Sequence, residues 1–233
     1  MSKLLTTLLL TLCLSVGTVW AGDVEDGEAA EARKDYVTAL KKYKSAAEKN
    51  VAKGQYILGI FYNTGQRVVQ DYAEAMRWVK LAAAQGYARA QSNLGYMYDN
   101  GRGVVQDYAE AMRWYKLAAA QDNVNAQFNL GYMYNNGQGV VQDSAEAMRW
   151  YKLAAAQGYA TAQYNLGIMY ESGKGVVQDY TRAHMWFNLA AVKGDSDAVN
   201  YRDIVAKQMT LQQVLDAQKL ARECQARNFK NCD

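Results

Sequence analysis

Residues 70–105 read QDYAEAMRWVKLAAAQGYARAQSNLGYMYDNGRGVV, and the pattern returns without a gap at 106–141 and 142–177. The first of these copies agrees with the second at 28 of 36 positions, and with the third at 28 of 36. Self-similarity at one fixed period marks an array of small structural units. Two looser copies flank the three. Residues 34–69 keep Asp35-Tyr36, Leu58-Gly59, Tyr62 and Val68-Val69, and a partial copy over 178–200 keeps Asp179-Tyr180, Ala183, Trp186 and Leu189-Ala190-Ala191. Divergent ends are expected, because a terminal unit has one face in water instead of against a neighbour.

Each copy reads as two antiparallel helices. Asp71 is a helix N-cap, and Glu74 three residues on gives a box-like start. Ala75, Met76, Val79, Ala82 and Ala83 follow at spacings of three and four, which lays an apolar stripe along a helix A of about 15 residues, about 22 Å long. Gly86, replaced by Asp122 and Gly158 in later copies, ends that helix through a left-handed turn. Helix B runs from about Ala88 to Asp99 with Ala90, Leu94, Met97 and Tyr98 inward, and Gly95 permits a close backbone approach. Gly101-Arg102-Gly103 leads back to the next copy, and such short connections force antiparallel neighbours. There is no Pro to interrupt any helix, and 50% of the residues are hydrophobic, enough for a packed core. The fold class is all-α, an α-solenoid of 36-residue helix-turn-helix units.

Outside the repeats, residues 1–21 have the form of a cleaved export signal. Lys3 precedes an apolar run from Leu4 to Val19, and Val19-Trp20-Ala21 offers a small-x-small cleavage site. The run is short for a membrane span and lacks a positive flank on its far side, so no stable membrane anchor is expected. Cys13 follows Leu12, where a lipoprotein signal needs a small residue. Residues 22–33 are a lead-in segment, and 201–233 a capping helix and tail. The mature chain would carry 25 basic and 23 acidic residues, after Lys3 is removed from the total of 26 basic ones. A net charge of +2 supplies no long-range field for nucleic acid.

Cys224 and Cys232 remain in the mature chain, and an exported protein with two cysteines at one end suggests a disulfide. An unbroken helix would hold their Cα atoms about 12 Å apart, whereas a disulfide needs less than about 7 Å. Pairing therefore requires the last helix to stop between them, near Asn228.

Trp78-Val79 (Trp114-Tyr115 and Trp150-Tyr151 later), Leu81-Ala82-Ala83, Gly86, Ala90, Leu94-Gly95, Tyr98 and the Gly101-x-Gly103-Val104 loop together resemble the Sel-one-like repeat, a branch of the tetratricopeptide superfamily. The resemblance covers about residues 34–200. It implies a right-handed superhelix, and an adaptor, regulator or exported interaction protein. The tail from Met209 to Glu223 resembles the closing helix of bacterial exported members. A cysteine-rich secreted branch binds penicillin with weak β-lactam hydrolysis, which implies the alternative of a binder or weak hydrolase of β-lactams or cell-wall fragments. The first copy departs from the pattern with Lys42 in place of Trp and Arg67 in place of the second loop Gly. The last has Arg202-Asp203 in place of Leu-Gly. A fully regular hairpin is in doubt at both ends.

No catalytic, metal or cofactor set emerges. Trp78, Trp114, Trp150 and Trp186 recur in register, and Tyr62, Tyr98, Tyr134 and Tyr170 likewise; packing between helices explains both rows more simply than binding slots. His184 is the only histidine and aligns with Met76, Met112 and Met148, a partly buried position with no converging nucleophile. No Ser is followed three residues later by Lys, as serine β-lactamase chemistry requires. The chain is read as a non-enzyme. Candidate binding residues are Arg77, Arg113 and Arg149, which either form exposed ion pairs with Glu74, Glu110 and Glu146 or line up with Lys80, Lys116 and Lys152 to hold an acidic peptide. Asn93, Asn129 and Asn165 are candidates for gripping a peptide backbone. The variable positions Arg89, Ser92, Asn125, Phe128, Thr161 and Tyr164 would read an asymmetric partner.

These readings describe a monomeric, exported scaffold, periplasmic or secreted, that docks a protein or peptide on the concave, helix-A side. One consequence is measurable. Protein purified from the periplasm should weigh about 2 Da less than its fully reduced mass, because a bond joins Cys224 and Cys232; two free thiols there would refute the pairing.

Overall fold

The computed structural model describes residues 22–232, so the expected export signal lies outside the described residues. All regular structure among them is helical. After α1 (22–32) come α2 (Tyr36–Glu48), α3 (Ala52–Thr64), α4 (Tyr72–Ala84), α5 (Ala88–Asn100), α6 (Tyr108–Ala119), α7 (Val124–Asn136), α8 (Ser144–Ala156), α9 (Ala160–Ser172), α10 (Tyr180–Val192), α11 (Ser196–Ala206) and α12 (Leu211–Ala226). Even numbers from α2 to α10 are helices A, and odd numbers from α3 to α11 are helices B. None of the described helices is long and apolar enough to cross a membrane.

The boundaries follow from local chemistry. Aspartates start the A helices: Asp71 accepts from the backbone of Ala73 and Glu74, and Asp35, Asp143 and Asp179 act alike, each such cap being worth about 1 kcal/mol. The reciprocal half of the expected box is not made, because Glu74 turns to Arg77 instead. Helix A is 13 residues in α4, shorter than its sequence pattern suggests. The chain leaves the helix at Gln85 because Gly86 takes a left-handed φ of 83°, as Gly158 does at 78° and Asp122 at 58°. Helices B close on left-handed glycines, Gly65, Gly101, Gly137 and Gly173.

The chain forms two compact units, one ending at Trp114 and the other beginning at Tyr115. In the first, consecutive helices from α2 to α5 pack on each other. Tyr43, Phe61, Ala39 and Ala46 form one core cluster, and Val79, Leu94, Met97 and Trp114 belong to another. In the second, consecutive helices from α7 to α11 pack in turn and α12 returns onto α10. Its core gathers Tyr151, Leu166, Met169, Trp186, Phe187, Val205 and Cys224. Trp78, Trp114 and Trp186 are buried, while Trp150 is half-buried. The tyrosines divide: Tyr170 is buried, and Tyr62, Tyr98 and Tyr134 are half-buried.

Helix B meets the helix A that follows it through a glycine. A methyl group on Gly131 would stand 2.6 Å from the Tyr151 ring, one on Gly59 2.7 Å from Val79, and one on Gly167 2.5 Å from Phe187. Only a residue without Cβ permits these contacts.

Both ends keep regular hairpins. The first copy forms α2 and α3 with 13 residues each, and Lys42, at the repeat position of tryptophan, turns to Asp23 and Asp26 of α1. Asp23 also accepts from Lys49 and Ser45, and chiefly the Lys49 hydrogen bond pushes its carboxyl down to about 2. In the last copy α11 runs through residue 200 to Ala206. A capping box of Thr210 and Gln213 starts α12, which ends at Ala226. Asn228 and Phe229 then adopt left-handed φ values of 51° and 62°, and the tail folds back so that Cys224 and Cys232 are bonded, with Cα atoms 5.1 Å apart. The helix thus stops where the cysteine spacing requires.

Two stability tests follow. Gly131→Ala should cost about 1–3 kcal/mol by urea denaturation, since overpacking forces ring and backbone apart; Gly22→Ala, in open space, should be silent. Cys232→Ser opens a ring of nine residues, and the loop-entropy model sets the loss near 2.6 kcal/mol.

Candidate protein-interaction face

The sides of α4, α6 and α8 turned away from the core carry a repeated cationic arrangement. In the first unit the Arg77 guanidinium is 2.9 Å from Glu74 and lies 4.0 Å from the centre of the Trp78 ring. Arg113 is 2.6 Å from Glu110 and 4.3 Å from Trp114, whose indole N–H also donates to Glu110 at 2.8 Å. In the second unit Arg149 is 2.6 Å from Glu146 and 4.2 Å from Trp150. The arginines hold the carboxyls of Glu110 and Glu146 below the usual range, hydrogen bonding being the main cause. Exposed pairs of this kind contribute about 0.3–0.5 kcal/mol each, and a guanidinium over an aromatic face about 0.5–1 kcal/mol. The arginines are therefore largely compensated from within their own helix.

The lysines are less engaged. Lys80 in the first unit and Lys116 in the second are exposed, and neither forms an ion pair among the described residues. Beside them Leu81 and Leu117 are 41% and 42% exposed, high for a leucine on a packed helix. The faces that α4 and α6 offer to solvent thus combine an exposed ammonium with an apolar patch.

The other candidates sort differently. Asn93, Asn129 and Asn165 are half-buried, and the Asn93 Oδ1 is shielded without a hydrogen-bond partner among the described residues. Phe128 packs 5.8 Å from Tyr151 and 5.1 Å from Tyr159, ring centre to ring centre. Tyr164 packs 5.8 Å from Phe187 and 5.6 Å from Tyr201, and burial pushes its hydroxyl up to about 12. Ser92 is buried, while Arg89, Asn125 and Thr161, one repeat position, are exposed. Packing against the next hairpin therefore accounts for variation at Phe128 and Tyr164, and the exposed variable positions lie three residues earlier. His184 is buried in α10, its charged form disfavoured first by burial and then by Arg202.

Another periodic set, absent from the sequence reading, ties neighbouring hairpins together. In the first unit buried Gln55 and Gln91 donate to the carbonyls of Ala47 and Ala83, and Gln85 donates to Gln55 Oε1 at 2.7 Å. In the second, Gln163 donates to Ala155, and Gln157 donates to Gln127 Oε1 at 2.8 Å and to the Asp122 carbonyl at 3.0 Å. The ladder ends at Gln163, whose Oε1 has no hydrogen-bond partner among the described residues, Lys193 standing where the next glutamine would be. Its signal was available, since Gln55, Gln91, Gln127 and Gln163 recur every 36 residues. Gln157→Ala should cost about 1–3 kcal/mol, the penalty for stranding buried Gln127 Oε1; an unchanged urea midpoint would show that the ladder is not structural.

Comparison with known proteins agrees with this geometry. The Sel1 repeat family model matches residues 52–87, 88–123, 124–159 and 160–195. Its units pair each helix B with the following helix A, the pair that the glycines bring together. A protective antigen of uropathogenic Escherichia coli with an SLR fold is 32% identical with a TM-score of 0.84, covering 91% of this chain and 47% of its own. This chain thus spans about half the length of that antigen. A Sel1 repeat protein from Oxalobacter formigenes is 30% identical with a TM-score of 0.74, covering 84% of this chain and 82% of its own. A sel1 repeat protein from Klebsiella pneumoniae, 20% identical with a TM-score of 0.53 over 80% of this chain and 93% of its own, shares the fold. A search of curated proteins finds no match. Sel1 repeat proteins are generally non-catalytic scaffolds for protein interaction. With the family model over more than half its length, this chain belongs to the Sel1 repeat family.

Proposed function

We propose that the chain is an exported scaffold of the cell envelope whose solvent-facing helix-A sides hold an acidic, partly apolar segment of a partner protein. The observation that carries this reading is an exposed lysine followed by an exposed leucine, Lys80 with Leu81 and Lys116 with Leu117, neither lysine in an ion pair among the described residues. A structural surface needs charge there, but it does not need leucine at that exposure. The arginines then orient the surface without neutralising the ligand, because Glu74, Glu110 and Glu146 already occupy them. Where the partner differs along its length, the exposed positions Arg89, Asn125 and Thr161 supply discrimination.

The test is crosslinking in the native cell. A photoreactive residue at Leu81 or Leu117 should give discrete protein adducts. Combining it with Lys80→Glu and Lys116→Glu should cut adduct yield by roughly fivefold, as expected when complementary charges become like charges. Adducts indifferent to charge reversal, or none, would overturn the reading.

A further inference from the structure

The first copy departs from its successors at four positions on one face. Thr38 stands where they have Glu, Lys41 where they have Arg, Lys42 where they have Trp, and Arg67 where they have the second loop glycine. The consequences are local and connected. Without a glutamate at position 38, Lys41 has no built-in acid, and neither Lys41 nor Lys44 forms an ion pair among the described residues. Lys42 is drawn the other way, to Asp23 and Asp26 of α1, so no tryptophan ring lies under Lys41.

The fourth change opens space. In later copies the loop glycine presses its backbone onto the first turn of the preceding helix A. A Cβ at Gly103 would collide with the Tyr72 carbonyl, and one at Gly175 would lie 2.7 Å from that of Ser144. Arg67 has a Cβ and cannot approach Tyr36 in that way. It keeps the left-handed φ of 69°, pairs with Glu31, and stacks its guanidinium 4.4 Å from the Tyr36 ring and 4.7 Å from Phe61. The space left is a cleft of about 450 Å³ lined by Tyr36, Val37, Leu40, Lys41, Lys44 and Arg67. Val37 is 83% exposed and Tyr36 46%.

We infer that this cleft anchors one end of the bound segment, taking an apolar side chain between Tyr36, Val37 and Leu40 while flanking carboxylates meet Lys41 and Lys44. The inference rests on the helix-A reading above and names where binding is strongest. The occupant is acidic because the two rim lysines lack counter-charges and the third cation is already paired with Glu31. It carries an apolar side chain because the lining between those cations is apolar. Arg67, which stands where later copies have glycine, forms part of the cleft wall.

The experiment uses the full mature chain and a fluorescein-labelled peptide of alternating Glu and Leu, with the Gln-Leu peptide as control, read by fluorescence anisotropy. Saturable, salt-weakened binding of the Glu-Leu peptide alone is expected. Lys41→Glu with Lys44→Glu should weaken it by about tenfold or more, the scale of a lost charge-paired anchor. Val37→Asp should do the same, and Arg67→Gly, which lets the loop close as in later copies, should abolish the apolar contribution. Lys80→Glu with Lys116→Glu should weaken binding less. Unchanged cooperative melting shows that each variant is folded. If the Lys41/Lys44 variant binds normally and the Lys80/Lys116 variant does not, the anchor is wrong and the helix-A reading stands. Insensitivity to both pairs overturns both. Equal binding of the Gln-Leu peptide, or no saturable binding, overturns the anchor.

Discussion

Everything in either unit depends on how closely a helix B can approach the helix A that follows it. Gly59, Gly131 and Gly167 set that distance, with Val79, Tyr151 and Phe187 seated where a side chain would otherwise be. A two-helix hairpin of about 30 residues cannot bury both of its apolar faces by itself, so it is stable only through its neighbours. The glycine turns that requirement into a fixed geometry. With the two backbones close, the amide of Gln85 or Gln157 can reach the glutamine of the preceding hairpin. Apolar contact and buried hydrogen bond are therefore not independent.

The same closeness explains a variable position that imitates a binding site. Tyr56, Ser92, Phe128 and Tyr164 occupy one repeat position and change from each copy to the next. Where rings are present they meet rings of the next hairpin, Tyr56 with Tyr87, Phe128 with Tyr159, Tyr164 with Tyr201. Where the position holds the small Ser92, the partner position holds Asn123 in place of a ring, so the two sides change together. Such a position changes freely provided its neighbour changes too.

Much of the fold was legible because periodicity and end chemistry repeat together. Asp before each helix A, glycine after most helices and the inward Ala-Leu-Met set give the hairpins almost to the residue, and the two cysteines locate the break after Ala226. The face was less legible. A periodic Arg and a periodic Lys look alike in a string of letters, and only the placement of Glu74 and Trp78 under Arg77 distinguishes a compensated cation from a free one. The glutamine ladder was as periodic as the tryptophans, yet glutamine does not announce burial as an aromatic does. At the first copy, Lys42 and Arg67 read as lapses in the pattern. In the structure each has a specific partner, Asp23 with Asp26 for one and Glu31 for the other.

Charge by itself would make a poor receptor of such a face. Exposed ions interact weakly across water, and physiological salt screens them beyond about 8 Å. A lysine attracts an acidic segment and sets its direction, but it holds it loosely and to no register. Register comes from apolar contact, which is short-ranged and requires shape. In later copies the loop glycines Gly103 and Gly175 lie against the first turn of the preceding helix A, and α4 and α6 each present an exposed leucine. The first copy differs there, with Arg67 in place of the glycine and Val37 in place of alanine, and its surface has a defined place for a side chain. A repeat array gains a preferred end in this way, since identical units would bind a segment equally well at any offset.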